Sequence, residues 1–345
     1  MRTMRKRKGA GLLPAFTAAA DLYGLFALSA VLVAVVGILD PAWLTLGTLV
    51  TALEQNAPLA VVSVAMTFAV IAGMIDLSPG AMIALVGVVI GLANNALHNL
   101  ALAILVGTAV ALLVGVAHGL LVVTMGINSV IVTLAAYVWA RGLATGLPGA
   151  NSVPITGPFV TAMDTASVGG VSPPIAIVAA AFAGGWYLLS RTRFGLYTFA
   201  IGGDVQSARR AGIDTARQVL LIFALMGLAI AVGAVISVSQ TASAQPLAAT
   251  GLELDAIIAV IVGGARPAGG EGSILKTLAG VAFVAILNNG LSSLGLSDAY
   301  YGLLKGAVIL VALSIQTLAR RMTARDAARA RLRAATGEQR DVAVA

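Results

Sequence analysis

The sequence predicts an all-α, polytopic membrane protein with about ten transmembrane helices, some of them discontinuous, and an internal pseudo-repeat. Three observations support this prediction: the overall apolarity, the number of long apolar stretches, and a pair of similar interruptions in the two halves of the chain. Of the 345 residues, 59% are hydrophobic and 10% are charged, and the mean hydropathy is +0.99. Soluble domains contain roughly 45 to 50% apolar residues. The composition therefore indicates an integral membrane protein.

Ten apolar stretches have spanning or near-spanning length, because a helix needs roughly 20 apolar residues to cross the hydrocarbon core. A further apolar piece, from Trp43 to Leu53, is short enough to be a half helix. The domain organisation that follows is an N-terminal segment (1–21), a transmembrane domain (22–319) and a C-terminal tail (320–345). The ten stretches are 22–39, 57–75, 80–97, 100–123, 127–147, 174–190, 218–240, 256–266, 274–291 and 300–319.

The positive charges are concentrated in three segments, which indicates the orientation of the chain. Of 21 Lys and Arg residues, five precede residue 9, five lie between Arg191 and Arg217, and seven follow from Arg320 onward. Cytoplasmic loops and termini are enriched in Lys and Arg. Ten crossings that begin inside place both termini and the 191–217 segment in the cytoplasm. The same distribution accounts for the net charge of +7 without a nucleic-acid partner.

Two stretches of membrane-seeking sequence are interrupted by glycine and proline. Residues 69–80 read AVIAGMIDLSPG and residues 259–273 read AVIVGGARPAGGEGS; each leads into an apolar run that ends in two asparagines. Irregular backbone at membrane depth persists only where protein or a water-filled cavity satisfies it. Interruptions at corresponding positions are typical of a transport pathway built on an internal repeat. The alternative is a pair of ordinary turns that share a composition bias.

A polar segment, Arg193 to Gln218, separates two long apolar runs. Asp204 is a favourable N-cap for a helix that begins at Val205, and Gly212 suits the left-handed residue that ends such a helix. The segment therefore predicts a helix of about two turns, too short to be stable alone. We expect flanking helices to hold it while a soluble partner docks on its exposed surface, formed by Ala208, Arg209 and Ala211.

Amide and hydroxyl side chains lie within the predicted helices, where a pathway for an uncharged polar solute would need them. As a set they favour a neutral hydrophilic substrate over an ion, because rows of acidic or basic residues are missing. Singly, each could instead form an interhelical hydrogen bond. Asp76 could equally cap the helix that begins near Gly80. The pathway candidates are Asn56, Thr67, Asp76, Asn128, Ser129, Thr133, Gln240, Asn288 and Asn289.

Several other chemistries are disfavoured. The chain has no cysteine and only two histidines, which argues against disulfides, thiolate chemistry and a histidine-rich metal site. We expect no catalytic residues and no cofactor bound by this chain. Residues 270–277 read GEGSILKT and look like a phosphate-binding loop, but Leu275 stands where a glycine must precede the lysine. Arg141 and Lys305 lie near predicted helix ends, where their side chains would extend to the membrane surface.

Four motifs follow one another along the chain: GMIDLSPGAMIAL, IVTLAAYVWARGLA, FGLYTFAIGGDVQSARRAGI, and LDAIIAVIVGGARPAGGEGS followed by NNGL. In order and spacing, from about Gln55 to Leu313, they resemble the membrane permease subunits of bacterial ATP-binding cassette (ABC) importers for ribose, xylose and related monosaccharides. The resemblance implies an inner-membrane protein that pairs with a second permease subunit, as a homodimer or heterodimer. It also implies two cytoplasmic ATPase subunits, which use ATP and magnesium, and a periplasmic sugar-binding protein.

In that family the third motif contains the coupling loop that docks into the ATPase. The resemblance places Asp204 where asparagine is usual, and both are good N-caps. Two other departures are Glu271 and Lys276, which replace what is commonly Arg and Gly and could pair across one helical turn. The coupling residues implied by the resemblance are Gly202, Gly203, Asp204, Ala208, Arg209, Gly212 and Ile213.

Alternative functions remain open from the sequence. A stand-alone secondary transporter or channel would use an ion gradient without ATP and would ordinarily carry charged relay residues, which are sparse here. An intramembrane enzyme would need a catalytic constellation, and none is visible. A permease of the same superfamily could carry nucleosides, branched amino acids or a furanone-type signal, although amino acids would demand charge-complementary groups.

Overall fold

The computed structural model describes residues 29–155, 171–295 and 300–308, together with positions 25, 27, 163, 310, 311 and 314. The predicted N-terminal segment (1–21) and C-terminal tail (320–345) lie outside the described residues, as does 156–170 apart from Met163. Within the described part the chain is a bundle of helices with one small antiparallel pair of strands, in which Val153 lies opposite Ala244.

The elements follow in chain order. They are α1 (Ser29–Leu39), a 3-10 turn (Pro41–Trp43), α2 (Leu46–Gln55), α3 (Ala57–Ile71), α4 (Pro79–Leu97), α5 (Leu100–Met125), α6 (Ser129–Gly146), β1 (Val153–Pro154), α7 (Pro173–Arg191), α8 (Arg193–Gly203), α9 (Val205–Arg210), α10 (Thr215–Thr241), β2 (Ser243–Ala244), α11 (Leu252–Val262), α12 (Ile274–Ser293) and α13 (300–308).

The count of about ten crossings is not confirmed. Among the described residues, six helices are long and apolar enough to span a membrane, or seven if α2 and α3, which meet at a bend of 56°, form one span. Two of the four stretches missing from this count fold as short helices, and the other two, 22–39 and 300–319, lie partly outside the described residues. α3 has 15 residues and α11 has 11, so they extend about 22 and 16 Å at 1.5 Å per residue. The hydrocarbon core is about 30 Å thick.

α3 lies at the centre of the bundle. Every residue of α3 is buried, and the helix packs against α7, α10, α11 and α12. A helix that is apolar all round is stable only when it is surrounded on all sides. α3 therefore forms the central axis of the bundle, and its first turn and its last turn lie at opposite ends of the bundle.

α5 illustrates how the outer helices face lipid. Apart from His118, its buried positions are small residues such as Ala103, Gly107 and Gly115, while large side chains such as Leu113 (70% exposed) point outward. A Cβ atom at Gly115 would lie 2.5 Å from the carbonyl oxygen of a residue in α10. Membrane helices associate through such small-residue faces, because lipid offers apolar side chains as good an environment as protein does.

Both predicted interruptions are confirmed, at 72–78 and 263–273, but their backbones differ. The first contains a non-helical run, 74–78, whose amides at Ile75 and Leu77 donate to hydroxyls of α6. The second is folded into turns, and a bond from the Arg266 N–H to the Glu271 carbonyl closes it. The internal repeat therefore stays a prediction.

Candidate functional site

The polar segment between α7 and α10 forms two helices that meet at Asp204. The Asp204 carboxylate accepts a hydrogen bond from the backbone N–H of Ser207 at 2.6 Å and thereby caps α9. Hydrogen bonds from the Ser207 hydroxyl and amide hold the pKa of this exposed carboxyl below its usual value. Gly212 follows with a φ of +81°. The predicted short, capped helix is confirmed, with six residues.

α9 turns one side to the bundle and the other to solvent. Arg209 and Ala211 are exposed as expected, but the expected exposure of Ala208 is wrong, since this residue is only 4% exposed. The small Ala208 side chain lets α9 lie close to its neighbours. The Arg209 Nε atom donates to the Thr215 hydroxyl at 2.9 Å, which ties α9 to the start of α10.

The C-terminal end of α8 lies against both interruptions. The Gly270 N–H donates to the Ile71 carbonyl at 2.8 Å, so the second interruption bonds directly to the last residue of α3, where the first interruption begins. A Cβ atom at Gly202 would collide with the Ile71 carbonyl and lie 2.6 Å from the Gly270 nitrogen, whereas one at Gly203 would meet open space. A Cβ atom at Gly269 would lie 2.7 Å from the Gly202 carbonyl. We call this contact, made by Ile71, Gly202, Gly269 and Gly270, the glycine junction.

α8 is fastened to the core along its length. The buried Gln218 of α10 donates to the Phe194 carbonyl at 2.8 Å and to the Thr198 hydroxyl at 2.9 Å. The Phe194 ring packs on Phe68 of α3, with centroids 5.3 Å apart. Direct contacts through α8 therefore connect α9 with α3 and with the glycine junction.

Four of the pathway candidates meet at the other end of α3. Asn288 donates from Nδ2 to Asn56 Oδ1 at 3.2 Å, and Asn289 donates to Gln55 at 3.1 Å while it accepts from Trp43 at 2.7 Å. Gln240 donates to the Glu54 carbonyl at 2.6 Å. Three further residues join them. Asp255 accepts hydrogen bonds from Asn288 and from Lys305. Tyr301 donates a hydrogen bond to Asn288. We call this group the polar cluster: Gln55, Asn56, Gln240, Asp255, Asn288, Asn289, Tyr301 and Lys305.

The other pathway candidates lie outside the polar cluster, and their place in a transport pathway stays a prediction. The hydroxyls of Thr67 and Thr277 bond to each other at 2.9 Å inside the bundle. Asn128 caps α6 through a bond to Val130, and its neighbours on α6 hold the first interruption. For these residues the alternative of structural hydrogen bonding describes what is observed. The Ser129 hydroxyl accepts a hydrogen bond from the Ile75 N–H at 3.3 Å, and the Thr133 hydroxyl accepts one from the Leu77 N–H at 3.0 Å.

Asp76 is buried in the first interruption. Its Oδ1 atom accepts hydrogen bonds from the Ser78 N–H at 2.8 Å and from the Ser78 hydroxyl at 2.7 Å. Ser78 is the N-cap residue of α4 and makes no side-chain cap of its own. Asp76 therefore shapes the turn that starts α4, which agrees with a capping role rather than with a place in the polar cluster.

Sequence reasoning missed the ion pair of Asp255 and Lys305. The Lys305 Nζ atom lies 2.7 and 2.8 Å from the two carboxylate oxygens, and both side chains are largely buried. Lys305 was expected to extend to the membrane surface, but the nearby carboxylate holds it inside. A lysine within an apolar run needs a partner, which is the signal that points to such a pair. Arg141 likewise turns inward and donates to the carbonyls of Pro246 and Ala248.

Glu271 has a charged partner in its own segment. It forms an ion pair with Arg266 inside the second interruption, with Nε and Oε2 2.8 Å apart. Among the described residues no group of three His, Cys, Asp or Glu side chains could hold a metal ion.

A bundle with at least six apolar helices of spanning length among the described residues is the architecture of a polytopic membrane protein. Residues 48–313 match the family described as "branched-chain amino acid transport system / permease component", and the chain belongs to this family. The resemblance to permeases of ABC sugar importers is thereby confirmed at the level of the family and of its curated members.

Curated relatives match most of the chain. The ribose import permease RbsC of Escherichia coli K12 is 36% identical over 83% of this chain and 90% of the relative. The ribose import permease RbsC of Bacillus subtilis 168 is 40% identical over 84% and 89%. The D-allose transport system permease AlsC of Escherichia coli K12 is 31% identical over 86% and 92%. No solved structure gives a significant match.

Proposed function

We propose that this chain is the membrane-spanning permease subunit of an ABC importer that translocates a monosaccharide or a related neutral polar solute. The observation that carries the proposal is the glycine junction, which seats the exposed α8–α9 segment on both interruptions of the membrane bundle. A soluble ATPase that moved α9 would therefore act directly on the irregular backbone at membrane depth. The curated relatives named for ribose and allose support the substrate class.

The proposal includes the assembly and the orientation. Two permease subunits pair in the bacterial inner membrane, with about ten crossings each and both termini in the cytoplasm. A periplasmic binding protein delivers the solute at the polar cluster. Two ATPase subunits dock at Gly203, Asp204, Arg209 and the rest of the coupling segment (191–217), and they alone use ATP and magnesium, so that this chain is not an enzyme.

Branched amino acids are the competing substrate class, because the matched family is described by them. An amino acid zwitterion carries two opposite charges that must both be matched inside the pathway. The charged members of the polar cluster, Asp255 and Lys305, form an ion pair in which each neutralises the other. The remaining members are amides and a phenol, which suit hydroxyl groups.

The proposal is tested by reconstituting the chain in liposomes with the ATPase and binding protein encoded beside it. We expect ATP-dependent uptake of D-ribose or D-allose and little uptake of leucine. Leucine uptake would assign the chain to the amino-acid branch. Sugar uptake driven by an ion gradient without the ATPase would identify a secondary transporter and refute the proposal.

The coupling role predicts the effect of two variants in the same vesicles. Gly203→Trp, or deletion of residues 208–212, should abolish uptake and the stimulation of ATPase activity while membrane insertion is retained. A Cβ atom at Gly203 would contact nothing, so we expect the bulky side chain to extend outward and obstruct a docking partner. Normal coupling in the deletion variant would refute the role of α9.

A further inference from the structure

A cavity of about 240 Å³ adjoins the polar cluster, at the level of the first turn of α3. This is roughly the volume of eight water molecules at about 30 Å³ each, and it suits one monosaccharide ring better than a larger ligand. The wall contains apolar surface from Pro58, Leu59 and Leu252. The polar lining residues are Gln55, Asn56, Ser237, Gln240, Thr250 and Asp255.

We propose that this cavity is a binding subsite for a single monosaccharide in transit, with the Asp255 carboxylate and the surrounding amides as ligands for its hydroxyl groups. The inference rests on the proposed function, because it assigns a place to the transported solute. It adds Asp255, Gln55 and Ser237 to the pathway, none of which the sequence pattern singled out. It also makes the permease itself a contributor to the choice of substrate.

The electrostatics of the cavity favour an uncharged solute. Lys305 lies behind Asp255 at 2.7 and 2.8 Å from its two oxygens, so the carboxylate and the ammonium together carry no net charge. A cation that entered would have to displace Lys305 from the carboxylate. A hydroxyl group need only add one hydrogen bond, because each carboxylate oxygen can accept more than one. Hydrogen bonds to an ionised acceptor are also stronger than those between neutral groups.

The amides supply donors and acceptors on the facing wall. Gln240 uses its Nε2 atom to bond the Glu54 carbonyl, and Gln55 uses its Oε1 atom to accept from Asn289. The Gln240 Oε1 and Gln55 Nε2 atoms have no protein partner among the described residues, and both side chains are exposed, so the two atoms are open to a solute. A pair of neighbouring sugar hydroxyls presents both a donor and an acceptor, which matches one free carbonyl oxygen and one free amide N–H. The apolar surface of Pro58 and Leu59 suits the C–H face of the sugar ring.

A second cavity in the bundle provides a contrast. This cavity measures about 340 Å³ and lies between α3, α7 and α10. None of the residues that line it has a polar side chain; examples are Val61, Phe68, Leu188 and Leu228. A sugar that entered it would lose the hydrogen bonds it makes to water and gain none. The larger cavity is therefore unsuited to a sugar, because its lining offers a solute no side-chain hydrogen bonds.

The natural absence of cysteine makes the inference directly testable. Ser237 lines the cavity and is partly exposed, so Ser237→Cys introduces a single thiol there. The permease assembled with its ATPase in lipid nanodiscs would be labelled with a small maleimide, in the presence and absence of saturating D-ribose or D-allose. We expect the sugar to slow labelling several-fold. Asn151→Cys, on an exposed turn outside the cavity, is the matched control and should label at one rate throughout.

Two further variants separate a ligand from a structural ion pair. On the Ser237→Cys background, Asp255→Asn and Lys305→Gln both break the ion pair. If Asp255 only held the fold together, the two variants would behave alike. We expect Asp255→Asn to raise the sugar concentration needed for protection about tenfold, which corresponds to about 1.4 kcal/mol. Lys305→Gln should leave protection intact, because the carboxylate remains.

The outcomes distinguish this inference from the proposed function. Uptake of either sugar in vesicles, combined with labelling that neither sugar slows, would overturn the subsite and leave the importer standing. Equal loss of protection in Asp255→Asn and Lys305→Gln would also overturn the assignment of Asp255 as a ligand. A lack of uptake of both sugars would contradict the proposed function, and the subsite with it.

Discussion

At the scale of single residues, Gly202 and Gly203 are neighbours with opposite constraints. A Cβ atom at Gly202 would overlap the Ile71 carbonyl, which belongs to the backbone and cannot rotate away, whereas one at Gly203 would contact nothing. We predict that Gly202→Ala lowers stability by about 1 to 3 kcal/mol, the usual cost of overpacking. Gly203→Ala is the matched control and should be neutral. Thermal unfolding of the two purified variants in the same detergent would decide, and equal stabilities would contradict the tight glycine junction.

The lowered pKa of Asp204 predicts that the N-cap of α9 depends on pH. Its hydrogen bonds from Ser207 lower the folded-state pKa below the ordinary value of 3.8, so the cap is fully formed above that value and is lost as the pH falls through the lowered pKa. Asparagine caps as well but does not titrate in this range. Amide hydrogen exchange at Ser207 should therefore lose its protection below about pH 3.8 in the wild type and keep it in Asp204→Asn. Loss at the same pH in both proteins would show that another group controls the cap.

At the scale of elements, α8 depends on Gln218 for its attachment to α10. Gln218→Leu keeps a side chain of similar size but removes both hydrogen bonds to α8. We predict a loss of about 1 to 3 kcal/mol in stability, because buried polar partners are left with fewer bonds. Gln206→Leu, on the exposed side of α9, is the control and should change stability by less than about 0.5 kcal/mol. Chemical denaturation of both variants in detergent measures the difference, and similar stabilities would show that α8 is held by other contacts.

The elements also show what a sequence can reveal. The capped helix α9 was predictable because its signals are local: Asp204 and Ser207 are three residues apart. The interruptions were predictable because glycine and proline mark them directly. The polar cluster was predictable only in part, since its bonds join residues far apart in the chain, with Asn56 and Asn288 separated by 232 positions. The apolar sequence around Lys305 indicates that its charge needs a partner. Only the folded structure, in which α11 packs against its neighbours, shows that this partner is Asp255.

At the scale of the whole molecule, the glycine junction and the polar cluster lie at the two ends of α3. α3 ends at Ile71, in the glycine junction. Asn56, in the polar cluster, directly precedes the first residue of α3, and the helix between them is about 22 Å long at 1.5 Å per residue. α11 and α12 also run between the glycine junction and the polar cluster. Each helix has one end beside the second interruption, and Asp255 of α11 and Asn288 of α12 belong to the polar cluster. Close-packed interiors change between discrete arrangements rather than deform continuously. A shift of α9 is therefore expected to appear at the cluster as a change in access.

This expectation gives a test that spans the molecule. In the assembled importer, we predict that binding of a non-hydrolysable ATP analogue changes the rate at which maleimide labels Ser237→Cys, because motion at the coupling segment reaches the polar cluster through α3, α11 and α12. Gly203→Trp should remove this response by blocking the docking surface while leaving the basal labelling rate unchanged. The permease without its ATPase should show no response to nucleotide, since the partner alone is expected to bind it. A response that persists without the ATPase, or one that Gly203→Trp leaves intact, would place the drive for access elsewhere in the bundle and contradict the coupling role of α9.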